Sequence, residues 1–188
     1  MYPSETIPAF DSFLAERGLR LDGVLIGGAA LSLLGVIERP TLDCDVLHPS
    51  IPEEVLSAAR LFADSYDRGG SSLSVDWLNN GPASIAKALA HGWRSRLVLL
   101  FSGKAITFHT LGRTDLLGTK LLGLCDRGGQ DLDDCIAFAP TTDELKDAAA
   151  WVSAHDGNPD WPEHVAITVS ELAQRLGLSD WPDGTKGG

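Results

Sequence analysis

The chain has 188 residues, is 44 % hydrophobic and carries a net charge of −11, which suits one ordinary domain, or a small domain with a helical extension. That acidity argues against gripping nucleic acid through bulk electrostatics, though a local basic patch of Arg94, Arg96, Lys120 and Arg127 could still guide an RNA end. No apolar run reaches the ~18 residues of a membrane span, and the N-terminal stretch lacks a basic-then-apolar signal pattern. The three cysteines, Cys44, Cys125 and Cys135, are too sparse for a disulfide framework and fit a reducing cytosol, so a cytoplasmic protein is expected.

In chain order, residues 8–17 have apolar side chains at helical spacing and end at Gly18, a suitable helix stop. Val24 to Ile26 form a short continuous apolar run, read as a buried strand that ends on Gly27-Gly28. Residues 29–36 read as a helix opening directly after those glycines. Residues 42–47 alternate, with Leu42, Cys44 and Val46 on one face and Asp43, Asp45 and Leu47 on the other. A helix follows over 52–66, with proline at its start and two acids in its first turn.

Residues 68–72 (RGGSS) read as a loop. The segment 73–78 (LSVDWL) alternates and is read as a third strand with Asp76 on the polar face, or else as a loop that anchors Trp77. A short helix is expected over 82–91 and a β-hairpin over 96–109, where two apolar runs flank a Ser-Gly turn. Residues 114–125 read as a helix with Leu116, Leu117, Lys120, Leu121 and Leu124 on one face. Gly128-Gly129 should interrupt it. Further helices are expected over 131–139, 142–154 and 162–177, with a loose tail after that. The reading is thus an α/β half of a few strands and helices, then a mainly helical part, divided near residue 110.

Two features carry chemistry. Gly27-Gly28 sits between a strand and a helix, where a glycine lets a phosphate approach the backbone, or simply ends a strand for steric reasons. Asp43 and Asp45 lie two apart on one strand face, so their carboxylates repel unless a cation sits between them or one is protonated. Mg²⁺ takes carboxylate and phosphate oxygens together, and one or two such ions could hold a nucleoside triphosphate there. Cys44, between the two acids, points to the opposite face and reads as a small core residue. No histidine pair has metal-ligand spacing.

Joined by Arg39-x-Thr41-x-Asp43-x-Asp45, the stretch GGAALSLLGVIERPTLDCDVL resembles the nucleotidyltransferase signature of the DNA polymerase β-like superfamily. It looks most like the minimal bacterial branch that includes the AbiEii and MenT toxins. The later segment Lys120, Arg127, Asp131 and Asp134 is similar to a second motif of that branch. The resemblance implies an α/β (α+β) fold: a nucleotidyltransferase-like core with a small mixed sheet over residues 1–110, followed by a mainly helical part over 111–188. It implies Gly27, Gly28, Arg39 and Thr41 around the nucleotide, Asp43, Asp45 and a third carboxylate around Mg²⁺, and Lys120 and Arg127 toward phosphate. Asp76 is the candidate third carboxylate. Asp131 would support the site, or cap the next helix, or both. The activity implied is transfer of a nucleoside monophosphate from an NTP to an acceptor hydroxyl on RNA, protein or a small molecule, with an antitoxin as a possible partner. The alternative is a degenerate member that acts by binding a partner protein.

Overall fold

The computed structural model describes residues 1–66 and 73–182; the loop expected over 68–72 and the end of the tail lie outside them. The chain forms two compact units, Met1–Gly112 and Arg113–Gly188. The first is a five-stranded mixed sheet with helices and the second is helical.

In the first unit α1 spans Pro3–Glu16, β1 Leu21–Ile26, α2 Gly27–Leu33, β2 Cys44–His48 and α3 Glu53–Ser65. β3 is the two-residue strand Leu78–Asn79, β4 is Val98–Ser102 and β5 is Ile106–Thr110. Strand order is β3-β2-β1-β5-β4. β1 runs antiparallel to β2 and parallel to β5, β2 is parallel to β3, and β4 and β5 make the expected hairpin. α1 starts further upstream than the apolar spacing indicated: Pro3 takes the first-turn position where proline costs no hydrogen bond, and Pro8 is tolerated inside the helix.

One face of the sheet makes the core. Cys44 and Val46 of β2, Leu21 and Leu25 of β1, and Ile106 and Phe108 of β5 are buried against Phe10 and Leu14 of α1 and Val55 and Phe62 of α3. Trp77 closes this core beside β3, its indole N–H donating to the Ala59 carbonyl at 3.1 Å, its ring edge-on to Phe10 at 5.1 Å. Asp11 of α1 ties in the hairpin: its carboxylate accepts from the backbone N–H groups of Lys104, Ala105 and Ile106 at 3.1, 2.8 and 2.8 Å. Burial works to raise the Asp11 pKa, but the three N–H donors outweigh it and the net shift is downward.

Two expected elements differ. Strand geometry over 73–78 is confined to Leu78–Asn79, because the chain turns at Ser74–Trp77, where Trp77 N–H bonds the Ser74 carbonyl. The helix expected over 82–91 is a 3₁₀ helix, Gly81–Lys87, with a second short one at Trp93–Arg96. Gly81–Lys87 buries none of its side chains, so it lacks the packed apolar face that stabilises an α-helix of this length.

In the second unit α4 spans Arg113–Arg127, α5 Gln130–Phe138, α6 Thr142–Ser153 and α7 Trp161–Leu176. α4 stops where Gly128 and Gly129 both take positive φ. A capping box opens α6: the Thr141 hydroxyl accepts from Glu144 N–H, and Glu144 accepts from Thr141 N–H. The Arg113 guanidinium bonded to Glu144 holds that carboxyl below its ordinary range. The first residues of the tail are not loose. Thr142 donates to Asp180 at 2.6 Å and the Trp181 indole to Ser170 at 3.4 Å. Among the described residues no helix is long and apolar enough to cross a membrane.

Candidate active site

β1 ends at Ile26 in extended geometry, and the chain turns at Gly27 with φ +73° directly into α2. The antiparallel register places Asp45 of β2 opposite Ile26. The turn is therefore pressed onto β2: a Cβ at Gly27 would lie 2.8 Å from Asp45 Oδ2, and one at Gly28 would lie 3.0 Å from the Thr41 methyl and 4.0 Å from an Arg39 guanidinium nitrogen. The backbone at Gly27 favours glycine outright, and a side chain at either position would have to push these neighbours aside. Thr41 is buried, and its hydroxyl donates to the Asp43 carbonyl at 3.3 Å, fixing the chain as it enters β2. Gly27, Gly28, Arg39, Thr41 and Asp45, spread over 19 positions of sequence, meet at one sheet end.

Asp43 lies just before β2 and Asp45 within it, both half-buried, with fully buried Cys44 between them. Burial pushes the Cys44 thiol pKa far up, and the two flanking carboxylates push it further, so Cys44 is a core residue and not a nucleophile. Leu42 does not share the core face expected of it. It is 89 % exposed, because β2 starts only at Cys44.

On the other side of Asp45 stands β3. Its register pairs Asp45 with Asn79, so the β3 side chain beside the carboxylate is an amide. Asn79 Oδ1 accepts from Gly81 N–H at 2.7 Å, and a Cβ at Gly81 would lie 4.0 Å from Asp45 Oδ1. The two Asp45 oxygens therefore face two glycines, Gly27 and Gly81. Asn80 secures the neighbouring loop by donating to the Val46 carbonyl at 2.7 Å and accepting from Ile51 N–H at 2.7 Å. These asparagines were absent from the candidate site residues expected from sequence; their trace there is the Asn-Asn-Gly that follows Leu78.

Asp76 departs from the expectation of a strand carboxylate facing the site. It is exposed in the turn before β3, its backbone N–H on the Ser74 hydroxyl. Among the described residues no three His, Cys, Asp or Glu side chains gather as a metal-binding group, so Asp76 does not join Asp43 and Asp45 in one. Two carboxylates still fit Mg²⁺, which is commonly held by one or two protein carboxylates with phosphate oxygens and water completing its shell.

The second unit gathers the other expected residues. Lys120 of α4 is buried, and its ammonium donates to Asp131 Oδ1 at 3.0 Å and Asp134 Oδ2 at 2.6 Å. Arg127 reaches the second Asp131 oxygen at 2.8 Å. Gly123 leaves room for this, since a Cβ there would lie 2.6 Å from Asp131 Oδ2. Asp131 is not a helix cap: Gly129 holds that position in α5. Arg127, at the end of α4, is tied to Lys120 through Asp131 and not by a shared helix face alone.

A family model described as a nucleotidyltransferase of unknown function (DUF6036) matches residues 6–139. No curated protein and no solved structure matches the chain. The matched span contains the glycine turn, the Arg39-to-Asp45 strand entry and the Lys120 to Asp134 cluster, and the chain belongs to this nucleotidyltransferase family.

Proposed function

We propose that the chain transfers a nucleoside monophosphate from a Mg²⁺-bound NTP to an acceptor hydroxyl, at the end of the sheet where Asp45 meets Gly27. The close approach of that carboxylate to side-chain-free backbone carries the reading, because phosphate oxygens need both an open backbone and a cation. Asp43 and Asp45 would hold Mg²⁺, which when bound neutralises charge on the phosphates. Gly27 and Gly28 leave room for the phosphates, and Thr41 keeps Asp43 in place. Arg39 would orient a phosphate. The acceptor oxygen forms a bond to the α-phosphorus, the bond to the β-phosphate oxygen breaks, pyrophosphate leaves, and the hydroxyl proton passes to water. The Arg39-to-Asp45 spacing favours the toxin-like branch, with RNA as an acceptor and an antitoxin as partner.

Asn79 at the β3 position beside Asp45 favours a second reading, a member that binds nucleotide or a protein partner without transfer, since no third carboxylate joins the pair among the described residues. Calorimetric titration with each NTP, with and without Mg²⁺, is the first test. Binding that needs Mg²⁺ and disappears in Asp43→Ala/Asp45→Ala is expected. Incubation with α-labelled NTP and a cell extract then separates the readings: label retained on an acceptor supports transfer, and tight binding without any retained label supports the second. A folded protein that binds no NTP defeats both nucleotide roles.

A further inference from the structure

β2 runs on from Asp45 toward a second concavity. Val46 pairs with Leu25 and His48 with Val24, so Leu47 is an extra residue without a β1 partner, a bulge two positions beyond Asp45. Leu47 forms part of the lining of a cleft of about 880 Å³ within the first unit. The 3₁₀ helix Gly81–Lys87 borders both places: Gly81 stands beside Asp45, and Lys87 at its other end lines the cleft.

The charge of this cleft is opposite to that of the chain. In a protein of net charge −11, the lining holds Lys87, Arg94, His48 and His91 and no carboxylate. Arg94 is held in place. Its guanidinium lies 4.4 Å above the ring of Trp93, which is buried and meets the His48 ring edge-on at 6.1 Å and 90°. A guanidinium laid on a fixed ring loses less freedom on binding than a free side chain does, and its planar fork matches two oxygens of a phosphate. Lys87 adds a point charge, and the buried Leu47 and Leu89 add an apolar floor. The volume is in the range of small-molecule sites and exceeds the needs of a lone phosphate.

We propose that this cleft is the acceptor subsite, and that the acceptor is a phosphorylated molecule whose phosphate is held by Lys87 and Arg94 while its hydroxyl reaches toward Asp45. The inference rests on the transfer reading above and narrows it. An acceptor bearing several amines is repelled here, and a neutral one gains nothing from the cations. A mononucleotide-sized acceptor and the end of a polynucleotide share this phosphate chemistry.

The test uses the full chain in Mg²⁺-free buffer, titrated with adenosine 5′-monophosphate, a five-nucleotide single-stranded RNA, and spermine. Either phosphate probe is expected to bind, and Lys87→Ala/Arg94→Ala to weaken it at least tenfold. A charge-matched control, Arg20→Ala/Lys104→Ala, should change binding by less than twofold. Near-UV circular dichroism verifies that the cleft variant is folded, and Lys87→Ala alone, which leaves the Arg94–Trp93 stack in place, gives a second readout of at least threefold. RNA binding at least tenfold tighter than the mononucleotide identifies a polynucleotide end, and equal binding a small phosphorylated acceptor. The proposal is overturned by spermine binding in place of the phosphate probes, by no binding of either phosphate probe, or by equal losses in the cleft and control variants. Mg²⁺-NTP binding that falls with the cleft variant also overturns it, because the cleft then serves the triphosphate. Phosphate probes that bind while the wild-type protein binds no Mg²⁺-NTP overturn the transfer reading instead, and leave the cleft an anion site.

Discussion

Asp43 and Asp45 stand half-exposed at a sheet end, Asp45 against two glycines, whereas Asp131 and Asp134, 5 % and 1 % exposed, lie against the ammonium of Lys120. Both are pairs of acids close in sequence, and both fall within the family's matched span. The environment separates them. A carboxylate taken out of water needs a cation or several donors from its own chain, and α4 and α5 supply those internally. A carboxylate left at a sheet end beside glycines keeps access for an outside cation. In the proposed function, two pairs of acids thus serve different ends, one holding the helical unit together and the other open to a ligand.

The widest separation between the two pairs comes from Lys120→Met. Removing the ammonium leaves Asp134 and one oxygen of Asp131 buried without it, and a loss of about 3–5 kcal/mol is expected in urea unfolding. Asp43→Asn/Asp45→Asn should cost almost no stability while removing Mg²⁺-NTP binding. An equal stability loss in the two variants would break the contrast.

Asp11 sharpens it as a third treatment of an acid, buried and answered chiefly by backbone N–H groups, with the Lys104 charge assisting. Asp11→Asn should cost about 1.5–3 kcal/mol, the range for hydrogen bonds to a charged group. Because the folded pKa is lowered, the carboxylate's stabilisation is complete above the unfolded value near ~3.9 and is lost as pH falls through the folded pKa. Melting temperatures of wild type and variant should therefore converge toward pH 2.

Gly27→Ala probes the sheet end directly. The positive φ costs about 1–2 kcal/mol for a residue with a Cβ, and the new methyl displaces Asp45, so weaker Mg²⁺-NTP binding should accompany the lower stability. The smallest expected effect is in the helical unit: Thr141→Ala removes half of the α6 capping box and should cost ~1 kcal/mol with NTP binding unchanged.

How much of this could be read beforehand depended on the length of the pattern. Helices with sustained apolar faces, such as α4 with Leu116, Leu117, Lys120, Leu121 and Leu124, were legible because several turns repeat the same statement. The β4–β5 hairpin was legible from two apolar runs about a Ser-Gly turn. β3 was not, because two residues cannot establish alternation, and Trp77, held by Ala59, sets the phase of Leu78 and Asn79. Assigning Asp76 to the polar face of a longer strand follows from that phase error. At the site, the glycine pair and the two aspartates were legible as motifs. Their contact was not, since it depends on the Ile26–Asp45 register across an antiparallel pair. The hold of Asp131 and Asp134 on Lys120 was not legible either, because those carboxylates come from the next helix, beyond the Gly128-Gly129 break.

Cys44, Cys125 and Cys135 are all buried, and burial raises the pKa of each thiol. A folded chain should therefore resist alkylation, and each modification event should record an opening of the unit around that thiol. Cys44 sits in the sheet unit and the other two in the helical one. Mass-resolved labelling would time the two halves separately in one untagged, unmutated sample, with Cys44 as the clock for the strand that carries the aspartates.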